Sequence, residues 1–339
     1  MRAAMYYSNS DVRIVELPKP TIGPGECLVR VRASGICGSD VMEWYRKPKA
    51  PVVLGHEIAA EVVSIGAAVT PVRVGDRVFV SHHVPCGECR YCRAGHETVC
   101  DTLRTTNFDP GGFAEFVRVP KINVEKGVFK LPPEVSDEQA VFIEPLACVA
   151  RGQRIVGLPP GGTVLVIGSG IAGLLHIRLA RSLGAGKIIA TDVVDFRKEA
   201  AIRSGADVVI DGREEVPAHV RSANGGRFAD VVITCTGAPK AIAQGLASVD
   251  RGGKVLFFAP IDPAAKVEIP FNALWREEIT TTSSYGGAPR DIRSAIELLQ
   301  SGKVRVEDLI THRLPLDQAG EGFRLVASAQ DSIKVILRP

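Results

Sequence analysis

The segment Thr163-Val-Leu-Val-Ile167 runs directly into Gly168-Ser169-Gly170-Ile171-Ala172-Gly173 and then into an apolar-periodic stretch to Leu183. An apolar strand, a G-x-G-x-x-G turn and a helix in immediate succession commit this part of the chain to a parallel sheet with helical crossovers. The first glycine permits the tight turn. The second lets backbone approach a pyrophosphate, and the third lets helix pack closely on strand. The helix N-terminus then presents free amides and the positive end of its dipole to phosphate.

The surrounding pattern supports this reading. Strand-like runs at 163–167, 187–192, 206–210, 229–235 and 253–259 alternate with helical stretches such as 171–183 and 239–248. Their near-continuous apolar character suits strands covered on both faces. Asp192 ends the second strand, nineteen residues past Gly173, where a carboxylate accepts ribose hydroxyls and repels a 2′-phosphate. NAD is therefore expected. Arg197 and Lys198 keep NADP open as the alternative, and Thr236, after the strand 229–235, joins the expected cofactor residues. Residues 1–150 read differently, as short alternating strands such as 26–33, 58–65 and 77–80, broken by Gly and Pro. A helix over 290–300 leads back to short extended pieces at the C-terminus.

Within the β-rich part, Cys86, Cys89, Cys92 and Cys100 are spaced C-x2-C-x2-C-x7-C. Four thiolates so close together can close a tetrahedral shell around one Zn²⁺, with no position left for substrate. The alternative is a disulfide pair. The remaining cysteines, Cys27, Cys148 and Cys235, read as small buried hydrophobes, and Cys37 belongs with a second metal site. Three separated pieces, Gly35-Ile36-Cys37-Gly38-Ser39-Asp40, Gly55-His56-Glu57 and Glu144-Pro145-Leu146, together supply a thiolate, an imidazole and carboxylates. That mixture suits a catalytic zinc with an exchangeable position. Each residue taken singly has a plain reading as a buried thiol, a loop histidine or a surface carboxylate.

Bulk properties exclude other classes. With 41 basic and 38 acidic residues the net charge is +3, too small an excess to mark a nucleic-acid or anionic-membrane surface. No apolar run reaches the ~18 residues of a membrane span. Charged residues appear too early for a signal peptide, so the chain is expected in the cytoplasm, where thiols stay reduced.

These motifs in this order, GICGSD, GHE, the cysteine lobe, EPL and GSGIAG, resemble the zinc-dependent medium-chain dehydrogenase/reductases, nearest the sorbitol and threonine dehydrogenase branch. The resemblance implies an α/β protein: a GroES-like β-rich catalytic domain at 1–151 and 287–339, with its zinc lobe at about 82–104, and a Rossmann doubly wound domain at 152–286. It implies two zincs per chain and a homo-oligomer, a tetramer or dimer. Cys37, His56 and Glu57 would hold the catalytic zinc, and Glu144 would be a ligand or hold its water. Cys86, Cys89, Cys92 and Cys100 would hold the structural zinc. Ser39 would relay the alcohol proton.

The implied reaction passes hydride between a secondary alcohol and NAD, with zinc acidifying the hydroxyl as a Lewis acid. A polyol, sugar-derived or inositol-like alcohol is expected from the Glu57 and Glu144 pattern. The alternatives are an NADP-dependent carbonyl reductase, a threonine-type enzyme, and a non-catalytic cofactor-binding member of the family. For threonine no carboxylate-binding group is evident, since Arg46 and Lys47 read as solvated loop residues. Relatives place His five residues after the cysteine ligand, to finish the proton relay. This chain has Met42, which carries no proton. The proton then leaves by water or past Glu57 and Glu144, or the enzyme works mainly as a reductase. Met42, Trp44, Tyr45 and Phe108 are expected at the substrate entrance. His82, His83 and His96 read as loop residues.

Overall fold

The structure, a computed structural model, describes residues Met1–Pro339. Two compact units divide the chain: Met1–Ala147 with Gly287–Pro339, and Cys148–Gly286. The division falls inside the helix Ile143–Val156.

In the first unit, the strands Ile310–Pro315, Lys334–Arg338, Cys27–Ile36, Glu57–Ile65, Arg77–Val80 and Val128–Lys130 pair in that order. Phe116–Val119 pairs along Cys27–Ile36 as well, and a three-stranded sheet is built on Arg2–Ser8. Alternation decides which face is buried. Val29, Val31, Ile58, Ala60, Val62, Val78 and Val80 point into one apolar core, while Arg30 and Glu61 pair across strands outside it. Register also fixes the functional positions. Gly35 lies opposite Glu57, and Ile58 opposite Val80. The ends of three strands therefore bring 37, 56–57 and 81–83 to one edge of the sheet.

The second unit carries a six-stranded sheet whose neighbours are all parallel. Its order is Val208–Asp211, Lys187–Asp192, Thr163–Ile167, Ala229–Thr234, Val249–Phe257 and Thr280–Ser283. The strand order reverses beside Thr163–Ile167, the point at which open parallel sheets bind ligands. Every residue of Thr163–Ile167 is buried, as a two-faced strand requires. The fifth strand starts at Val249, earlier than the apolar pattern from Gly253 suggests, because Asp250–Gly253 pass as an irregularity between paired positions. No helix is long and apolar enough to cross a membrane.

Candidate active site and metal centres

Strand Cys27–Ile36 ends at Cys37, which caps the short 3₁₀ turn Gly38–Val41. The Cys37 amide donates to Asp40 Oδ2 at 3.0 Å, and its Sγ accepts the Ser39 amide at 3.5 Å. Across the sheet, one ligand atom from each of Cys37, His56 and Glu57 lies within 4.8 Å of the others. Gly35 makes this approach possible. A Cβ there would stand 2.2 Å from Glu57 Oε2 and 2.5 Å from Val141.

The surroundings orient each donor. His56 Nδ1 faces Asp40 Oδ1 at 3.4 Å, which leaves Nε2 for a metal. Asp40 is fully buried. Burial pushes its carboxyl up, but His56 and Arg46 outweigh this and hold it below the ordinary carboxylate value. Lys334 is also fully buried, with Nζ 2.6 Å from Glu57 Oε2. Burial pulls its ammonium down, yet the charges of Glu57, Cys37 and Glu144 keep it raised. Glu57 Oε1 is buried and has no hydrogen-bond partner in the protein. An orphaned carboxylate oxygen beside a thiol and an imidazole fits a zinc ion, which would satisfy it.

The cysteine lobe is a separate cluster. The sulfurs of Cys86, Cys89, Cys92 and Cys100 lie within 4.8 Å of one another, and all eight cysteines are free. Amides of Glu88 and Cys89 donate to Cys86 Sγ at 3.5 and 3.3 Å, and the Cys86 amide to Cys100 Sγ at 3.4 Å. Lys126 Nζ donates to the Cys86 carbonyl. Amides aimed at sulfur favour thiolates, so this set fits a closed tetrahedral zinc.

In the second unit the loop Gly168–Gly170 enters the helix Ile171–Ser182. Gly173 must be glycine, because a Cβ there would stand 1.9 Å from the Gly168 carbonyl oxygen. Asp192 Oδ2 accepts the Ser169 amide at 2.8 Å, and Oδ1 accepts those of Val193 and Val194 at 2.8 and 3.0 Å. Arg197 Nη1 comes within 3.9 Å of where a Gly170 Cβ would sit, and its Nε is buried without a partner. Thr236 packs beside Gly168. A glycine-lined helix start flanked by an unsatisfied arginine fits a dinucleotide.

Comparison with known proteins agrees. Residues 23–133 match the alcohol dehydrogenase GroES-like domain, and residues 172–301 the zinc-binding dehydrogenase family. L-threonine 3-dehydrogenase of Pyrococcus abyssi is 38% identical over 93% of this chain and 91% of its own. Sorbitol dehydrogenase of Bacillus subtilis is 32% identical over 100% of this chain and 97% of its own. Alcohol dehydrogenase TADH from Thermus sp. ATN1 superposes with a TM-score of 0.89 at 32% identity, covering 100% of this chain and 99% of the other. The chain belongs to the zinc-dependent medium-chain alcohol dehydrogenases.

In this dehydrogenase the expected residues fall unevenly. Cys37, His56 and Glu57 converge. Glu144, on the first turn of Ile143–Val156, contributes its charge to Lys334 but is not part of the 4.8 Å cluster. Ile171 and Ala172 form the first helical turn, whereas Ser169 turns inward, its hydroxyl donating to the Thr191 carbonyl. Lys198 is engaged by Asp195 and Asp211, which leaves Arg197 as the cation over the glycine loop.

Two expectations need correction. Phe108 is only 2% exposed and packs in the β-core, so it does not line an entrance. Met42, Trp44 and Tyr45, by contrast, keep exposed surface, with Trp44 against Tyr45. Arg46 is not a solvated loop cation, since its side chain is 15% exposed and contacts Ser39 and Asp40. His82 and His83 lie in a loop, as expected, outside both candidate metal clusters, and they pack beside His56. The His82 ring lies 5.0 Å from His56 and 3.8 Å from His83. Burial first, then the charges of His56, Arg46 and Lys49, lowers His83 to about 4. His96 caps a 3₁₀ turn in the lobe, as a loop residue would. Lys334 is barely marked in the sequence. Its only signal is a lone lysine within the apolar run 333–337.

Proposed function

We propose that this enzyme oxidises a secondary alcohol of the polyol or sugar-derived class with NAD, one zinc being catalytic and one structural. The observation that carries the reading is the convergence of Cys37, His56 and Glu57, with Glu57 Oε1 buried and unpaired. When bound, zinc supplies a Lewis acid for the hydroxyl and NAD accepts the hydride.

The chain's own residues do the rest. Lys334 holds Glu57 Oε2 and leaves Oε1 unpaired for a metal. Asp40 fixes the ring of His56. Ser39 takes the alcohol proton and passes it to water, because Met42 offers no acceptor. Asp192 and Arg197 flank the adenosine side of the cofactor, and Asp192 favours the unphosphorylated ribose. The balance is one alcohol and NAD⁺ giving a ketone, NADH and one proton.

A second reading, an amino-alcohol acid such as threonine, is favoured by the similarity to L-threonine 3-dehydrogenases. We place the enzyme in the cytoplasm, in keeping with eight free cysteines. We also propose a homo-oligomer. The outermost strand Thr280–Ser283 has one open edge, and Phe271 and Trp275, just before it, are 72% and 74% exposed.

The test is a rate survey of the zinc-loaded enzyme over polyols, inositols, amino alcohols and simple secondary alcohols, with NAD and NADP in parallel and metal content determined. Two zincs per chain and NAD-linked turnover of polyols are expected. A single zinc, or no alcohol turned over with either cofactor, would sink the proposal.

A further inference from the structure

Arg46 has more hydrogen-bonding capacity than the protein uses. A guanidinium offers five N–H donors in a fixed plane. Nε donates to the Ser39 carbonyl at 3.0 Å, and Nη2 donates to Ser39 Oγ at 3.1 Å and to Asp40 Oδ1 at 3.2 Å. Those bonds fix the plane of the group. Nη1, with two N–H donors, has no hydrogen-bond partner in the protein and is not sealed among its buried unsatisfied atoms.

The electrostatic setting matches. Asp40, the carboxylate that Arg46 touches, is shared with His56 and is already fully buried. The guanidinium lies 4.7 Å from the Tyr45 ring, and Lys49 Nζ stands 3.8 Å from that same ring, so a second cation borders this wall. Both cations act on His83.

We infer that Nη1 of Arg46 is an anion-recognition point for substrate. The substrate it selects is a secondary alcohol bearing a carboxylate on the carbinol carbon or the next carbon. This rests on the proposed role of Ser39 as the hydroxyl that meets the reacting oxygen. A hydrogen bond from Ser39 Oγ to that oxygen spans roughly 2.7 Å. The guanidinium, one further hydrogen bond away, is then within reach of a group only one or two carbons from the reacting carbon. Arginine suits the task because a single N–H of Nη1 donated to a carboxylate is a charge-assisted hydrogen bond, while the other two nitrogens hold the plane in place. The same residue answers the missing carboxylate partner for the amino-alcohol reading, and it serves an acid derived from a sugar equally.

The test is equilibrium binding by calorimetry to zinc-loaded enzyme with NADH present. The probes are 3-oxobutyrate, its neutral amide and hydroxyacetone phosphate, and the proteins are wild type, Arg46→Gln and Arg46→Lys. The acid is expected to bind wild type more tightly than the amide. Arg46→Gln should lose about 10- to 100-fold in affinity for the acid and less than about twofold for the amide. Arg46→Lys should recover part of the loss. An equal loss for acid and amide would mean that Arg46 only positions Ser39, and would overturn the inference. A clear preference for the phosphate would overturn the assignment to carboxylates. NAD-linked oxidation of neutral alcohols with no preference for acids leaves the proposed function standing and removes this inference. Arg46-dependent binding of the acid without any turnover does the reverse.

Discussion

The two candidate metal clusters of this dehydrogenase are built in opposite ways. The lobe takes four identical sulfurs from Cys86–Cys100, and its support is local too, being amides of Cys86, Glu88 and Cys89 with Lys126 close by. The other cluster takes three unlike donors from the ends of two strands and depends on Lys334, far away in sequence. A local cluster made of like ligands can organise its own segment around a metal. A cluster made of unlike ligands exists only once the sheet has formed. The first therefore belongs to stability and the second to chemistry.

The largest effect should come from separating those roles. Cys37→Ser removes a proposed ligand of the catalytic zinc. Lewis-acid assistance worth several kcal/mol corresponds to roughly a thousandfold or more in rate. Activity should fall by at least that factor, with the melting temperature nearly unchanged and one zinc lost per chain. Cys89→Ser should do the opposite, lowering the melting temperature and loosening the lobe, because binding of a structural metal is coupled to folding. Metal content and thermal melts measured on both variants decide the matter. If Cys37→Ser unfolded and Cys89→Ser merely slowed turnover, the contrast would be wrong.

A smaller effect tests the long-range support of the second cluster. Lys334→Met leaves Glu57 buried with no counter-charge. Removing one partner of a buried pair costs about 3–5 kcal/mol, and loss of such a support weakens metal binding about 10- to 100-fold. Adding Glu57→Gln to Lys334→Met should restore much of the stability, since no lone charge then remains, but not the metal. Recovery of metal in the double variant would show that Lys334 serves packing alone.

The same contrast explains what could be read from the sequence. The lobe, the glycine loop and the alternation of strands and helices are local patterns with fixed spacing, so periodicity and motif were enough. His82, His83 and Lys334 are set by register, and Arg46 by the short helix Glu43–Arg46 that folds it back on Ser39 and Asp40. His82 and His83 follow the strand that pairs Val80 with Ile58, and only that pairing puts them beside His56. Phe108 misled because an apolar residue in a loop looks alike whether it faces a substrate or a core. Ser169 misled for a related reason: the motif fixes its backbone, while the neighbouring strand takes its hydroxyl.

At neutral pH the smallest effect belongs to the unit without a metal cluster, where a histidine has no ligand role. His176 is fully buried on the helix Ile171–Ser182, with Nδ1 3.2 Å from Gln153 Nε2 and its ring edge-on to Phe258 at 4.5 Å. Burial lowers its pKa to about 3. In the unfolded chain it titrates near 6.5, so between those values the unfolded state binds the extra proton. Stability from this residue is thus complete above pH 6.5 and is lost as pH falls, by ~1.4 kcal/mol for each unit down to about 3. His176→Leu should flatten that part of the wild-type stability curve, at a modest cost at neutral pH from the lost Gln153 contact. Denaturant unfolding at a series of pH values between 4 and 7 reads the difference directly. Parallel curves for the two proteins would mean that the ring is hydrated and titrates normally, and the cofactor unit would then owe its acid sensitivity to other groups.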